Sequence, residues 1–316
     1  MQSSLYKEFL ELANRSQDRV NLWNGCGTLE RFVVNSHCYV AKISSVPNDL
    51  KHRVIEQSSF SLKRKVRSYE KEQLFYKQYS GVLNPLCTVP KVYELHKEQG
   101  TFVTILADFR TLGFENKASA SFEDIVAILT WLAGFHAIWL EQSTSHSLLA
   151  EFGEGNYWHF KTRPDEFKKM PGGPLKQHAQ KIDQILTATT FKTLIHGDAK
   201  LANFAFNNKA VIGYDFQHVG VGIGLSDVML LLTSVLECNE LEALSDKLLD
   251  IYFMALANCM AKCHVQLSSQ DVEREWRPLW PLIWADFHRF LVGWKPDHKK
   301  INHYMKYQSK KLPLFL

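Results

Sequence analysis

The run Leu194-Ile195-His196-Gly197-Asp198-Ala199-Lys200-Leu201-Ala202-Asn203 constrains this chain more than any other stretch. An apolar lead-in ends in His-Gly-Asp, and an asparagine follows five residues after the aspartate. Such a loop offers a carboxylate and an amide oxygen from one short span. Phosphoryl transfer to an alcohol needs both: a carboxylate to orient the hydroxyl and accept its proton, and oxygen ligands for the Mg2+ that bridges the phosphates. A second metal ligand is expected from the next strand. Lys209-Ala210-Val211-Ile212-Gly213-Tyr214-Asp215 is an apolar run ending in Asp, directly after the Asn207-Asn208 turn. A hairpin there would carry Asp198, Asn203 and Asp215 to one end of two short strands. Taken instead as a mere turn, four fixed residue types at about 5% each over ~300 positions recur by chance roughly once in 500 chains. The placement of Asp215 makes coincidence rarer still.

The amino-terminal part offers the complementary pieces. Arg31–Asn35 and Tyr39–Ile43 read as short strands joined by the turn-like Asn35-Ser36-His37. The second places Lys42 on a strand, where its ammonium would hold the α- and β-phosphates of a nucleotide. A charged helical pattern follows from Leu62 to Tyr79. Within it Glu72 is the candidate partner that orients Lys42, and Glu70 is its competitor. Gly25-Cys26-Gly27 precedes the first strand and is a candidate phosphate-covering turn. A strand lysine is commonly just solvated, and a lone Gly-x-Gly is commonly a hairpin turn. What raises these weak signals is their order: glycine turn, strand Lys, helix Glu, catalytic Asp, Asn, metal Asp.

Val89–Leu95 and Phe102–Leu106 read as two more strands, after which the pattern changes. Ser121 with Asp124 three residues on forms a helix-start signal, followed by Ile125, Ile128, Leu129, Leu132, Phe135 and Trp139 at helical spacing. Helical patterns dominate from there, including Val228–Leu236 and Leu241–Cys263. The expectation is an α+β chain of two lobes. Residues 1–108 form a small β-rich nucleotide-binding lobe, and residues 109–316 form a larger helical lobe carrying the catalytic loop and acceptor site.

Composition excludes several alternatives. The 316 residues are 46% hydrophobic and 22% charged, enough to bury a core and ordinary for a globular protein. The net charge of +4 is mild, and the local runs Lys63–Arg67 and Lys299-Lys300 carry no nucleic-acid reader motif, so they read as solvated faces. Six cysteines show no C-x-x-C spacing, which argues against a zinc site. The expected partner is a small-molecule hydroxyl substrate, with no nucleic acid and no membrane. The first residues lack the apolar run of a secretory signal, so a cytoplasmic location is expected.

The motif set resembles the family of aminoglycoside phosphotransferases, choline kinases and ecdysteroid-kinase-like proteins, in particular bacterial members of the last group. The resemblance rests on His196-Gly197-Asp198…Asn203 with Asp215-Phe216-Gln217. Further matches are Leu22–Gly27, Arg67–Glu72, Leu132–Ala137 and Phe287–Trp294, so it spans nearly the whole chain. It implies a protein-kinase-like fold with ATP and Mg2+ as cofactors. Asp198 would be the catalytic base, Asn203 and Asp215 the metal ligands, and Lys42 with Glu72 the ATP anchor. Thr104–Phe109, including Asp108, resembles the interlobe hinge whose backbone would hold adenine. Two departures stand out: Ala107 where the family often has an acid, and Glu30 where a protein kinase has a third glycine.

Asp215 is followed by Gly220-Val221-Gly222-Ile223-Gly224 and then Asp227, with no Ala-Pro-Glu, which leaves no platform for a peptide and favours a small acceptor. Asp227 is expected to cap the next helix and brace the catalytic loop. Trp276, Trp280 and Trp284 fall four apart, interrupted by Pro278 and Pro281; they are either core or an aromatic wall of the acceptor site, and Tyr157-Trp158-His159 poses the same choice. The rival from another class is a catalytically silent nucleotide-binding scaffold, against which the presence of both Asp198 and Asp215 speaks.

Overall fold

The structure, a computed structural model, describes residues 4–12, 18–22, 25–46, 59–83, 86–140, 146–208 and 210–315. Trp23, Asn24 and Lys209, which entered the motif readings, lie outside the described residues. Two compact units form. One comprises Met1–Asn84, Thr88–Asn116 and Ala205–Gln217; the other comprises Pro85–Cys87, Lys117–Phe204 and His218–Leu316.

In chain order the first unit holds α1 (Leu5–Leu12), β1 (Arg19–Asn21), β2 (Gly27–Val34), β3 (His37–Ser44), α2 (Ser59–Leu74), a π-helical turn at Phe75–Tyr79, β4 (Val92–Glu98) and β5 (Thr101–Ala107). The second unit continues with α3 (Phe122–Trp139), α4 (His146–Phe152), α5 (Pro164–Lys169), α6 (Pro174–Thr187) and β6 (Thr193–Ile195). The hairpin β7 (Phe204–Phe206) and β8 (Val211–Gly213) leads back to the first unit. Then β9 (Gly220–Gly222), α7 (Leu225–Val235), α8 (Cys238–Lys262), α9 (Ser269–Trp276), α10 (Trp280–Trp294) and α11 (His303–Ser309) complete the second. The chain therefore mixes helix with an antiparallel amino-terminal sheet, the α+β class expected from the sequence.

In the sheet unit the strand order is β1-β2-β3-β5-β4, with antiparallel pairs throughout. Asn35 and Ser36, at φ 50° and 65°, form the two-residue turn joining β2 to β3. Two consecutive positive φ values match the twist of a hairpin. Side chains alternate across the sheet. One face buries Phe32, Tyr39, Ala41, Val103 and Ile105 against Phe9 of α1. The other carries Lys42 and, on its β5 neighbours, Thr104 and Phe102, the last packed on Tyr69 of α2. The sequence boundary at residue 108 differs from the packing because the chain after β5 stays with the sheet to Asn116. Residues 205–217 also return to it: Glu115 and Phe206 exchange backbone hydrogen bonds at 2.8 and 2.9 Å, Gly213 N donates to Thr88 O at 3.0 Å, and Ile212 buries against Phe114.

The helical unit is built around α3 and α8. α3 begins with the capping box read from the sequence, Ser121 Oγ accepting from Asp124 N at 3.2 Å and Asp124 Oδ2 from Ser121 N at 3.0 Å. It then buries Ile125, Ile128, Leu129, Leu132, Phe135 and Trp139. Among the described residues α3 is the one helix long and apolar enough to cross a membrane, and 61% of it is buried inside the protein. Strands β6 and β9 pair antiparallel, Thr193 opposite Gly222 and Ile195 opposite Gly220, and deliver the chain into the His196–Asp198 turn.

Candidate active site

Within the sheet unit, Lys42 Nζ donates to Glu72 Oε1 at 2.7 Å and to Asp215 Oδ1 at 2.8 Å. Burial works against the ammonium, but the Asp215 and Glu72 carboxylates overcome it and hold its pKa above the usual lysine value. Two elements position the acids. Glu72 lies in the last turn of α2, directly before the π-helical turn. Phe75 of that turn stacks on Phe216 with centroids 3.9 Å apart, and Tyr76 meets the same ring edge-on. Phe216 is thereby fixed, and with it the adjacent Asp215, whose φ of 68° is a left-handed conformation that aspartate tolerates better than most residues. π-helical turns recur at functional sites, and here one aims a carboxylate. The Lys42–Asp215 pair is a feature that sequence reasoning missed, since it joins residues 173 positions apart.

Glu70 takes another direction, pairing with Lys97 at 2.9 Å on the surface. Gly25, at φ 68°, lies in the turn closed by the Gly25 N to Leu22 O and Leu22 N to Gly27 O bonds. Gly27 is compelled by packing: at φ 137°, a Cβ there would lie 1.9 Å from the Ile43 carbonyl oxygen. Glu30, in place of a third glycine, is buried and bonded to Thr28 and Arg19. Asp108 ends the β5 segment; its carboxylate accepts from Arg110 N and pairs with Arg31 Nε at 3.1 Å, so its side chain shapes the turn.

Asp198 and Asn203 belong to the helical unit. Asn203 Nδ2 donates to Asp198 O at 2.8 Å and to Asp198 Oδ2 at 3.1 Å. That pattern assigns the amide orientation and turns Oδ1 away from the aspartate. Lys200 Nζ pairs with Asp198 Oδ2 at 2.8 Å. The loop is held from beneath by Asp227, which is fully buried and accepts from His196 N at 2.6 Å, Gly197 N at 2.9 Å and His136 Nε2 at 3.2 Å. His136 Nδ1 in turn meets the Tyr252 hydroxyl at 2.8 Å. Gly197 has φ 78°, and a Cβ on it would lie 1.9 Å from His218 O, so the middle residue of His-Gly-Asp must be glycine.

The cap expected of Asp227 does not form. Gly224 is the residue at the start of α7, and Asp227 turns inward because the two loop N–H groups offer better partners than the helix end. Tyr252 was not singled out from the sequence, and His136 entered only as part of the Leu132–Ala137 match, with no role given to it. The three tryptophans are core. Trp276, Trp280 and Trp284 are 0%, 5% and 0% exposed, with the first donating to Phe191 O and the second to the Tyr304 hydroxyl. The two prolines separate α9 from α10 through a single 3-10 turn, Arg277–Leu279.

Residues 143–265 match the family model described as the ecdysteroid kinase-like family. Among curated proteins, none is similar enough in sequence to count as a match. The fold is similar to that of amicoumacin kinase hAmiN in complex with AMP-PNP, Ca2+ and Ami, with a TM-score of 0.52, 12% identity, and coverage of 98% of this chain and 91% of that one. It is also similar to that of an ethanolamine kinase from Plasmodium vivax, with a TM-score of 0.51, 14% identity, and coverage of 94% and 81%. The chain thus has the fold of these small-molecule kinases and, over residues 143–265, the sequence pattern of the ecdysteroid kinase-like family.

Proposed function

We propose that this chain is an ATP-dependent phosphotransferase that phosphorylates a hydroxyl of a small molecule. The observation that carries the reading is the Asp198 carboxylate, held by Asn203 and Lys200 on a loop whose backbone is tied to Asp227. The acceptor hydroxyl oxygen attacks the γ-phosphorus and the bond from that phosphorus to the β,γ-bridging oxygen breaks. Asp198 orients the hydroxyl and takes its proton, and ADP leaves. Lys42, oriented by Glu72, is the candidate cation for the α- and β-phosphates. Gly25, Gly27 and the backbone near Asp108 are the candidate edges of the nucleotide site.

The donor set fits Mg2+. Asn203 Oδ1 and the Asp215 carboxylate are hard oxygen ligands, the kind this cation prefers. Ligands of this kind would let Mg2+ neutralise charge developing on the phosphates. Asp215 is engaged with Lys42, so nucleotide phosphates and metal together would take over the two halves of this ion pair.

The test is transfer of radiolabelled phosphate from [γ-32P]ATP to a metabolite library, with Mg2+ and with excess EDTA. Asp198→Asn should lower transfer at least ~10²-fold while ATP affinity survives. Near-native transfer by the variant, or turnover in EDTA, removes the proposal; ATP binding with no transfer to any acceptor identifies the chain as a silent nucleotide-binding scaffold.

A further inference from the structure

Phosphotransfer as proposed leaves one group beside the catalytic loop without a task. Lys300 lies between α10 and α11, and its Nζ donates to Thr233 Oγ1 of α7 at 3.0 Å. The next residue on α7, Ser234, accepts from Leu201 N of the catalytic loop at 3.0 Å. Lys300 is therefore docked on the helical turn that holds the loop. Its ammonium also stands 5.6 Å from the centre of the Phe287 ring. Burial, with Lys200 and Lys299 adding repulsion, pushes its pKa down to about 8 against the opposing pull of Asp198. Aromatic packing continues alongside, with Phe287 and Phe290 buried and Tyr157 partly exposed. Tyr157 meets Phe287 and Phe290 edge-on, with centroids 6.2 and 5.7 Å apart, and lies against His218 at 5.6 Å. Burial, and after it the Asp198 carboxylate, raises the Tyr157 hydroxyl above its usual pKa, so the phenol also feels the catalytic acid.

Two ammonium groups near one carboxylate leave surplus positive charge in a partly desolvated place. A cationic acceptor would add to that surplus, whereas an anionic one would offset it. The nucleotide's own candidate cation, Lys42, belongs to the sheet unit and is already paired. We propose that the acceptor carries an oxyanion, a carboxylate or a phosphate monoester, which Lys300 binds while the partly exposed Tyr157, packed on the buried Phe287 and Phe290, offers an aromatic face to its carbon skeleton. This rests on the phosphotransfer reading and narrows its substrate to anionic alcohols.

The experiment compares three sets of hydroxyl compounds: mandelate and glycerol 3-phosphate as anions, 1-phenylethane-1,2-diol and glycerol as neutral matches, and 2-amino-1-phenylethanol as a cation. Binding is read by ligand-observed NMR with Mg2+ and AMP-PNP present, and transfer is read separately with ATP. The anions should bind about tenfold or more tighter than their matches, since a charge-assisted hydrogen bond is lost in each match. Lys300→Met should abolish that preference, Lys300→Arg should retain most of it, and thermal melting of both variants checks that they fold. Equal or better binding of the amine, no binding of either anion, or a preference that survives in Lys300→Met overturns the proposal. So does a Lys300→Met variant that loses ATP affinity as much as anion affinity, because Lys300 then serves the γ-phosphate. Lys300-dependent anion binding without transfer under any condition supports the anion site and sinks the phosphotransfer reading alone.

Discussion

Lys42 in the sheet unit is held by side chains, with Glu72 at 2.7 Å and Asp215 at 2.8 Å, each supplied by a different segment. Asp198 in the helical unit is held through backbone and side chain together: the N–H groups of the two preceding residues are tied to a buried carboxylate, its carbonyl accepts from Asn203, and its carboxylate accepts from Asn203 and Lys200. The first arrangement rests on charge, which suits the proposed role of Lys42 in receiving phosphates. The second fixes a carboxylate in space before any substrate arrives, which suits the base proposed for Asp198. Substitutions should therefore act differently in the two: through charge in the sheet unit, and through unsatisfied buried donors in the helical unit.

The largest effect is expected at Asp227. In Asp227→Ala, the N–H groups of His196 and Gly197 and one ring nitrogen of His136 lose their buried partner together. At about 1–3 kcal/mol for each buried polar group left unpaired, the loss is on the order of 3–9 kcal/mol. Thermal unfolding should show a fall of several degrees, and transfer should drop along with it. Asp227→Asn, which keeps an acceptor, should be milder. An Asp227→Ala protein with the wild-type melting temperature and native transfer would break the contrast drawn between the two units.

At Lys42 the contrast predicts function lost through charge, with a stability loss set by the buried carboxylate left unpaired. Lys42→Met and Glu72→Gln should each lower productive ATP use by about tenfold to a hundredfold, as expected for charge-assisted hydrogen bonds. The double variant should add little, because the two residues act as one unit. Glu70→Gln should stay within about twofold, since Glu70 pairs with the exposed Lys97 and exposed ion pairs contribute little. Full additivity in a steady-state double-mutant cycle, or a Glu70 effect exceeding that of Glu72, would overturn this assignment.

Local signals in the sequence led to elements that local chemistry decides. Asn35-Ser36 specifies a tight turn whatever surrounds it, and Ser121 with Asp124 starts α3 by hydrogen bonds made within four residues. The candidate loop residues were legible because the chemistry requires them within a few positions of one another. What escaped notice depends on distant partners. Residues 205–217 return to the sheet unit through hydrogen bonds with Thr88 and Glu115, more than a hundred positions away for the first and ninety for the second. Of the two roles expected of Asp227, the brace on the loop forms, through the N–H groups of His196 and Gly197, while the helix cap does not. Lys300 sat in a basic run that reads as a solvated face, and only its bond to Thr233 shows that it is drawn inward.

His288 provides a finer test, of a neutral bond in the helical unit against the charged pair of the sheet unit. The residue is buried in α10, 8% exposed, and its Nδ1 meets Ser309 Oγ of α11 at 2.9 Å. Burial, and then the Lys306 ammonium, pushes its pKa down to about 4 from the ordinary value near 6.5. The folded protein thus binds this proton more weakly than the unfolded chain does. The stability contributed by the neutral imidazole is complete above about pH 6.5 and is lost as pH falls from there through about 4. By pH 5 the loss should be on the order of 2 kcal/mol, since one pKa unit corresponds to about 1.4 kcal/mol. His288→Asn keeps a polar partner for Ser309 but does not titrate. Other acid-sensitive groups are common to both proteins, so the difference between their stability profiles isolates this one. Tryptophan fluorescence during urea unfolding is a suitable probe, because every tryptophan except Trp23 lies in the helical unit. The wild-type curve should fall toward the variant's, or below it, between pH 6.5 and 5, while the gap stays constant above pH 7. Parallel profiles across the whole range would mean that the His288–Ser309 contact persists with a protonated ring, and the contrast between this neutral bond and the charged Lys42 pair would lose this support.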